Sequence, residues 1–227
     1  MSLRLIGDCH GDFQTYSHIV EDSEYSIQLG DFGFNEMYKA VASSNIDDSN
    51  HQFFGGNHED MDYYYSLPHS LGNYGFTILN SIAFFFVRGA ESIDQDWRKA
   101  DMAMGKWGGR KLWWEEEQMS MRQLGAAIEH YKDVKPSIVL THTCPQFLKN
   151  IVLKYKYGDD NNCNVTRTEA ALENMWGSHK PKLWVFGHFH CYFNQVIGGT
   201  RFICLDEYQY ADLDCEAIHV AGESYAY

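Results

Sequence analysis

The 227-residue sequence has no C-x-x-C pair among its six cysteines, no internal repeat, no low-complexity tract and no Pro- or Ser-rich linker. Scattered, unpaired thiols read as reduced cysteines of a cytoplasmic protein. Without a linker the chain reads as a single domain over 1–227. No apolar run approaches a membrane span; the longest, IAFFFV at 82–87, is strand-sized. No apolar signal region precedes the first strand either. Basic residues are scarce: 18 Lys and Arg against 31 Asp and Glu give a formal charge of −13. That argues against a broad basic face for long duplex DNA or an anionic membrane. A small phosphorylated ligand stays open, because a bound metal reverses the local sign.

What is present is an α/β rhythm. LRLIGD, YSIQLGD and HQFFGGNHE are short β-prone runs, each ending in Gly and polar residues. Between them FQTYSHIVEDSE and FNEMYKAVASSNIDDS read as helical connections. The 23 residues from Asp8 to Asp31 and the 26 from Asp31 to Asn57 fit consecutive strand–helix–strand units. FTILNSIAFFFVRGA then predicts a hairpin turning at Asn80–Ser81, and residues 91–114 read as an irregular segment rich in Trp and Gly. EEEQMSMRQLGAAIEHYKDV predicts an amphipathic helix with an acidic first turn. SIVLTHT and KLWVFGHFH are two further strands, and YFNQVIGGTRFICLDEY is a second hairpin with a Gly-Gly turn. The expected architecture is an α/β fold with layered sheets and helices, its polar residues gathered at the carboxyl ends of strands.

Five strand ends carry metal-type donors: Asp8 and His10, Asp31, Asn57 with His58, His142, and His188 with His190. Residues i and i+2 of an extended chain share a face, so Asp8 and His10 can converge on one point. Taken singly, each has a plain structural explanation: GD and GN are common turn dipeptides, and a lone His beside a strand is usually just hydrogen-bonded. Together, all being N or O donors, they suit Zn, Fe or Mn. Setting His58 aside, seven donors are too many for one ion and enough for two that share a carboxylate.

The sequence G-D-x-H-G at 7–11, G-D at 30–31, G-N-H-E at 56–59, T-H at 141–142 and G-H-x-H at 187–190 resembles the calcineurin-like metallophosphoesterase superfamily, in that family's order. The resemblance implies the metallo-dependent phosphatase fold, two β-sheets sandwiched by helices with the site at the C-terminal ends of strands. It implies two divalent ions, Mn first among Mn, Fe, Zn and Ni. Asp8, His10 and His190 would hold one; Asn57, His142 and His188 would hold the other; Asp31 would bridge them. A metal-bridging hydroxide would attack phosphorus in line, with His58 as the catalytic histidine that ligates no metal. The implied substrate is a small phosphate ester, a nucleotide or phosphoprotein among the options.

The pattern also departs from the family. Phe34 and Asn35 stand where the phosphoprotein phosphatase branch carries an Asp and an Arg, which lowers protein dephosphorylation to a secondary option. Arg98 is the candidate substitute, expected to clamp the substrate phosphate, with Asp94 positioning either it or His58. Residues 91–114 and 143–176 are read as possible lid insertions; for Lys154 and Lys156 a solvated surface helix is the favoured reading, and for most of the tryptophans of 91–114 packing is at least as good a one. Glu59, next to His58 on a strand, points away from it. Cys9, Cys144 and Cys191 read as packing residues, and Asp12 as a helix cap. The alternatives are a cyclic-nucleotide or nucleic-acid phosphodiesterase on the same site, or a binding scaffold without catalysis, against which the intact donor set weighs.

Overall fold

A computed structural model describes residues 2–33, 49–106, 108, 111–158, 164–220 and 223–226. The expected helix over 34–49 falls, apart from Ser49, outside these residues, as do Phe34, Asn35, Trp107, Arg110 and Cys163. The first part runs β1 (Leu3–Ile6), α1 (Phe13–Val20), β2 (Ser26–Gln28), β3 (His51–Phe53) and α2 (Met61–Tyr64). Next come β4 (Tyr74–Leu79), β5 (Ile82–Val87), α3 (Gln95–Ala103), α4 (Met121–Val134), β6 (Ile138–Thr141), α5 (Gln146–Tyr157) and α6 (Arg167–Ser178). The chain closes with β7 (Leu183–Phe186), β8 (Phe193–Ile197), β9 (Thr200–Cys204), β10 (Tyr210–Leu213), β11 (Ala217–Val220) and β12 (Glu223–Ala226).

These strands form two six-stranded mixed sheets, ordered β12-β11-β10-β1-β2-β3 and β4-β5-β6-β7-β9-β8. Strands β1, β2 and β3 run parallel in the first, and β5, β6, β7 and β9 in the second. Helices link β1 to β2, β5 to β6 and β6 to β7, and cover the outer faces of those strands. The two-residue repeat of an extended chain divides each run accordingly. Leu3, Leu5, Phe84, Phe86, Ile138, Leu140, Leu183 and Val185 fill the space between the sheets. Their neighbours Phe85, Val87, Val139, Trp184 and Phe186 face outward onto Leu124, Tyr131, Leu148, Val152, Leu172 and Met175 of α4, α5 and α6. Across the first sheet, Ile6 and Phe53 meet Tyr16, Ile19 and Val20 of α1 and Met61 and Tyr64 of α2. This is the helix-covered two-sheet sandwich expected of a metallo-dependent phosphatase.

Local signals set the element ends. Asp12 caps α1, its Oδ1 accepting from Thr15 N at 3.0 Å. Asn80 and Ser81 take φ of 50° and 63° between β4 and β5, the left-handed pair a two-residue hairpin turn needs. Two expectations are corrected. The helix expected from Glu115 starts at Met121, where Ser120 and Gln123 form a capping box, and its first turn holds no acid. Glu115–Glu117 is instead a short 3-10 turn whose last carboxylate is drawn inward to Ser92. The segment read as irregular contains α3, because Asp94 and Arg98 stand one helical turn apart and pair at 2.8 Å.

Candidate metal centre

Each donor stands where the chain leaves the carboxyl end of a parallel strand, and the turns there are tight. Four of the donors have left-handed backbone: His10 (φ 45°), Asp31 (φ 54°), His188 (φ 70°) and His190 (φ 46°). Such conformations cost about 1 kcal/mol or more apiece outside glycine and gather where function needs them. Glycine in the motifs makes room: a Cβ on Gly56 would lie 2.2 Å from Asp31 Oδ1, and one on Gly187 2.3 Å from Asp8 Oδ1.

The donors fall into two groups, Asp8 with His10 and His190, and Asp31 with His142 and His188; within each, the ligand atoms lie within 4.8 Å of one another. In the first, His10 Nε2 stands 3.0 Å from His190 Nε2, which is 3.1 Å from Asp8 Oδ2. In the second, His142 Nε2 is 3.4 Å from Asp31 Oδ1 and 3.0 Å from Asn57 Oδ1. His142 Nδ1 meets the Leu29 carbonyl at 3.0 Å, which aims Nε2 at the site. Asp31 links the groups: its carbonyl accepts from the Cys9 and His10 N–H, while its Oδ1 accepts from the Asn57 and His58 N–H at 2.7 and 2.8 Å. Two fully buried carboxylates facing imidazole nitrogens, with no thiol among them, form a donor set that suits borderline divalent cations.

A supporting layer surrounds these groups. Asn57 Nδ2 donates to Ser92 Oγ at 3.0 Å, and Ser92 donates to Glu117 Oε2 at 2.6 Å and, through its N–H, to Oε1 at 3.0 Å. This chain turns Asn57 Oδ1 toward His142. Glu59 accepts from Phe32 N–H and Gly56 N–H, both at 2.7 Å, and so ties the second and third motifs together rather than touching His58. Glu207 Oε1 stands 3.5 Å from both His10 Nε2 and His190 Nδ1. Sequence reasoning missed Ser92, Glu117 and Glu207. Only the acid pair closing LDEY, after a strand of the core, hinted at the last.

His58 is partly open, its Nε2 3.8 Å from Asp31 Oδ2 and its ring 5.3 Å from that of His10. Arg98 reaches it, NH2 lying 2.7 Å from His58 Nδ1, while its Nε donates to Asp94 Oδ2 at 2.8 Å. Of the two suspected insertions, 91–114 thus meets the site. The second supplies α5 and α6, whose Leu148, Val152, Leu172 and Met175 belong to the outer helix layer. Arg167 there bonds the Glu115 and Gln118 carbonyls, and Lys156 the Phe189 carbonyl. Cys9 and Cys144 are fully buried, and burial drives both thiols upward.

Burial and the close pairing of carboxylates with imidazoles set the charges of the cluster. Burial would raise Asp31, but His142 and His58 beside it hold it well below the usual carboxylate range. Burial likewise opposes a charge on His142, and Asp31 overrides it, lifting His142 to about 9. Burial, then Asp31, pushes Glu59 to about 8. His190 is raised through its hydrogen bond to Asp8, whereas burial beside His142 holds His188 well below the histidine range. Burial also lowers His58, with Asp31 opposing and Arg98 reinforcing.

Sheet sandwich, helix layers and paired Asp/His groups at strand ends define a metal-dependent phosphoester hydrolase. The chain belongs to the calcineurin-like phosphoesterase family, whose sequence profile matches residues 1–192. No curated protein matches the chain significantly by sequence. Among solved structures it is similar to the phosphopantetheinyl hydrolase of Mycobacterium tuberculosis, at 12% identity over 91% of this chain and 89% of that one, TM-score 0.51. It is also similar to a putative 5′-nucleotidase of Staphylococcus aureus, at 14% identity over 99% of this chain and 54% of that one, TM-score 0.51. At these identities the likeness carries the fold. Among the described residues no helix is long and apolar enough to cross a membrane.

Proposed function

We propose that the chain is a dinuclear metal hydrolase of small phosphate esters. The observation that supports this most is the pair of adjoining donor groups, Asp8/His10/His190 and Asp31/His142/His188, with Asp31 accepting from the backbone N–H of His10 in the first group and of Asn57 beside the second. Asp8, His10 and His190 would hold one divalent ion, Asn57, His142 and His188 the second, and Asp31 would be shared. When bound, the metals supply charge neutralisation for the phosphoryl group and activation of the attacking water. Asn57, being neutral, limits the negative charge that an anionic substrate meets. His58 stands beside the donors with a partly exposed ring, able to hydrogen-bond the phosphoryl or leaving oxygen. Manganese is the first metal to test, and a small phosphorylated molecule the first class of partner.

A second reading, hydrolysis of a cyclic-nucleotide or nucleic-acid diester, uses the same donor set and differs only in the substrate. The test is a screen of metal-reconstituted protein over p-nitrophenyl phosphate, bis-p-nitrophenyl phosphate, phosphopeptides, and linear and cyclic nucleotides. Asp8→Asn is the control that assigns activity to this site. Turnover of the diester and cyclic nucleotides above the monoester selects the second reading; no turnover with any divalent metal overturns both.

A further inference from the structure

A cleft of about 380 Å³, within the size range of small-molecule sites, opens between the turn at Glu115–Glu117 and the starts of α4 and α6. No metal donor lines it. The turn divides the cleft from the centre: the Glu117 carboxylate reaches Ser92, whereas the Glu116 carbonyl faces Arg88. Two arginines line the cleft, and among the described residues neither has an acidic partner. Arg88 is 1% exposed; its Nε donates to Asn73 Oδ1 at 2.6 Å, NH1 to the Glu116 carbonyl at 2.7 Å and NH2 to the Tyr65 hydroxyl at 2.6 Å. Arg167 NH2 donates to the Glu115 and Gln118 carbonyls, its Nε is buried without a partner, and NH1 is left free to meet a ligand. Buried charge is ordinarily paired, and a guanidinium does not shed its proton. Two positive charges therefore stand at this cleft with no counter-charge bonded to them.

We propose that this cleft is a second binding site, separate from the metal centre, for a small organic oxyanion: a phosphate or carboxylate carried on an apolar body. Arg167 NH1 supplies the charged contact, and the Tyr65 hydroxyl supplies a second donor. That hydroxyl accepts from Arg88, which polarises its own O–H, and its hydrogen is held only by Asn73 Oδ1 at 3.3 Å, an atom already engaged by Arg88 Nε. Turning the hydrogen toward an anion exchanges a long bond for a short, charge-assisted one. The charge of Arg88 thus acts on the ligand without Arg88 moving. Tyr65 and Met121, which are 51% and 71% exposed, form the apolar part of the wall. Glu115 and Glu116 also line the cleft and oppose an anion, but both are exposed, where water and salt screen them, whereas the Arg88 guanidinium is shielded from both.

Phenylphosphonate and benzoate are the probes, since neither holds a phosphoester bond that the centre could hydrolyse. Titrated calorimetrically into the Mn²⁺-loaded full chain, and again into the chelator-treated chain, one of them should give a binding event that survives metal removal. Phenylphosphonate as the tighter probe assigns a phosphate headgroup, and benzoate a carboxylate. Arg167→Ala should weaken that event by about tenfold to a hundredfold, the range for one charge-assisted hydrogen bond, and Tyr65→Phe by about threefold to tenfold, the range for one neutral bond. Arg88 is too deeply buried for its replacement to read binding alone, so Arg167 and Tyr65, both partly exposed, carry the test. Glu116→Gln, which removes an opposing charge, should tighten binding. Methylphosphonate or acetate, each lacking the ring, should bind more weakly than its aryl counterpart, and equal affinity overturns the assignment of the Tyr65–Met121 wall. An event weakened by either variant places the anion in the cleft. Binding that disappears with the metal belongs to the centre and overturns the proposal. So does the absence of any event with both probes, or an event that Arg167→Ala and Tyr65→Phe each leave within about twofold.

Discussion

Removing one oxygen from Ser92 should disturb the centre without touching any donor. Ser92 is 1% exposed, accepts from Asn57 Nδ2 at 3.0 Å and donates to Glu117 Oε2 at 2.6 Å. Ser92→Ala deletes both bonds and leaves the Glu117 carboxylate, itself 2% exposed, held by the Ser92 backbone N–H and beside the Trp113 side chain. A neutral hydrogen bond contributes about 1 kcal/mol and one to a charged group about 1.5–3 kcal/mol, so the loss is about 3 kcal/mol. For a chain of this size that lowers Tm by about 6–12 °C. With its Nδ2 released, Asn57 can turn Oδ1 away from His142, and loss of such supporting bonds weakens metal affinity by about 10–100-fold. Calorimetric melting of the metal-free protein reads the first effect, and isothermal titration with Mn²⁺ the second. The weakening should fall on one of two binding events. A Tm within about 2 °C of the unmutated chain, or unchanged Mn²⁺ affinity at both steps, would refute the assignment of Ser92 and Glu117 as the support for Asn57.

Two other outcomes follow from geometry and charge. Gly56→Ala would place Cβ 2.2 Å from Asp31 Oδ1 and 2.6 Å from His142 Nε2, and should cost about 3 kcal/mol and abolish metal binding at that group; Gly125→Ala, in the exposed face of α4 with nothing within 4 Å, should stabilise by about 0.5–1 kcal/mol in the same melting assay. The metal-free protein should lose stability as pH rises from neutral: His142 is lifted from 6.5 to about 9 and Glu59 from 4.5 to about 8, so each stabilises fully below its unfolded value and the contribution disappears as pH climbs through the folded one. Urea midpoints at pH 6.5 and 9.5 check the sign, and added Mn²⁺ should reverse the His142 part of the trend, since a metal ligated by His142 displaces its proton.

Much of the fold was legible because its signals are local. Continuous apolar runs such as IAFFFV suit inner strands buried on both faces, and a capping residue such as Asp12 marks a helix start by its own side chain. The donors were legible for the same reason, each lying within a few residues of a strand end. Helix α3 was not, because its one tryptophan among charges gives no apolar stripe, and the Asp94–Arg98 pair is informative only once the backbone is helical. The start of α4 was misplaced because three consecutive acids favour a helix N-terminus by themselves, whereas the observed turn answers to a serine 25 residues earlier in the chain. Ser92 and Glu117 stayed hidden because nothing in their neighbourhood marks a residue whose partner is distant.

By itself, then, the sequence determined the strand pattern, the layer architecture and the residue types that crowd the strand ends, since these depend on periodicity and on chemistry within a few residues. Which donor stands beside which was decided by tertiary structure. His10 and His190 come within 3.0 Å across 180 residues because the β1 and β7 ends meet between two packed sheets. The same packing brings Arg98 to His58 alongside Asp31, and a serine–glutamate pair to Asn57. Those contacts depend on sheet order and on the direction in which α3 leaves β5, and hydrogen-bond polarity at the centre depends on both.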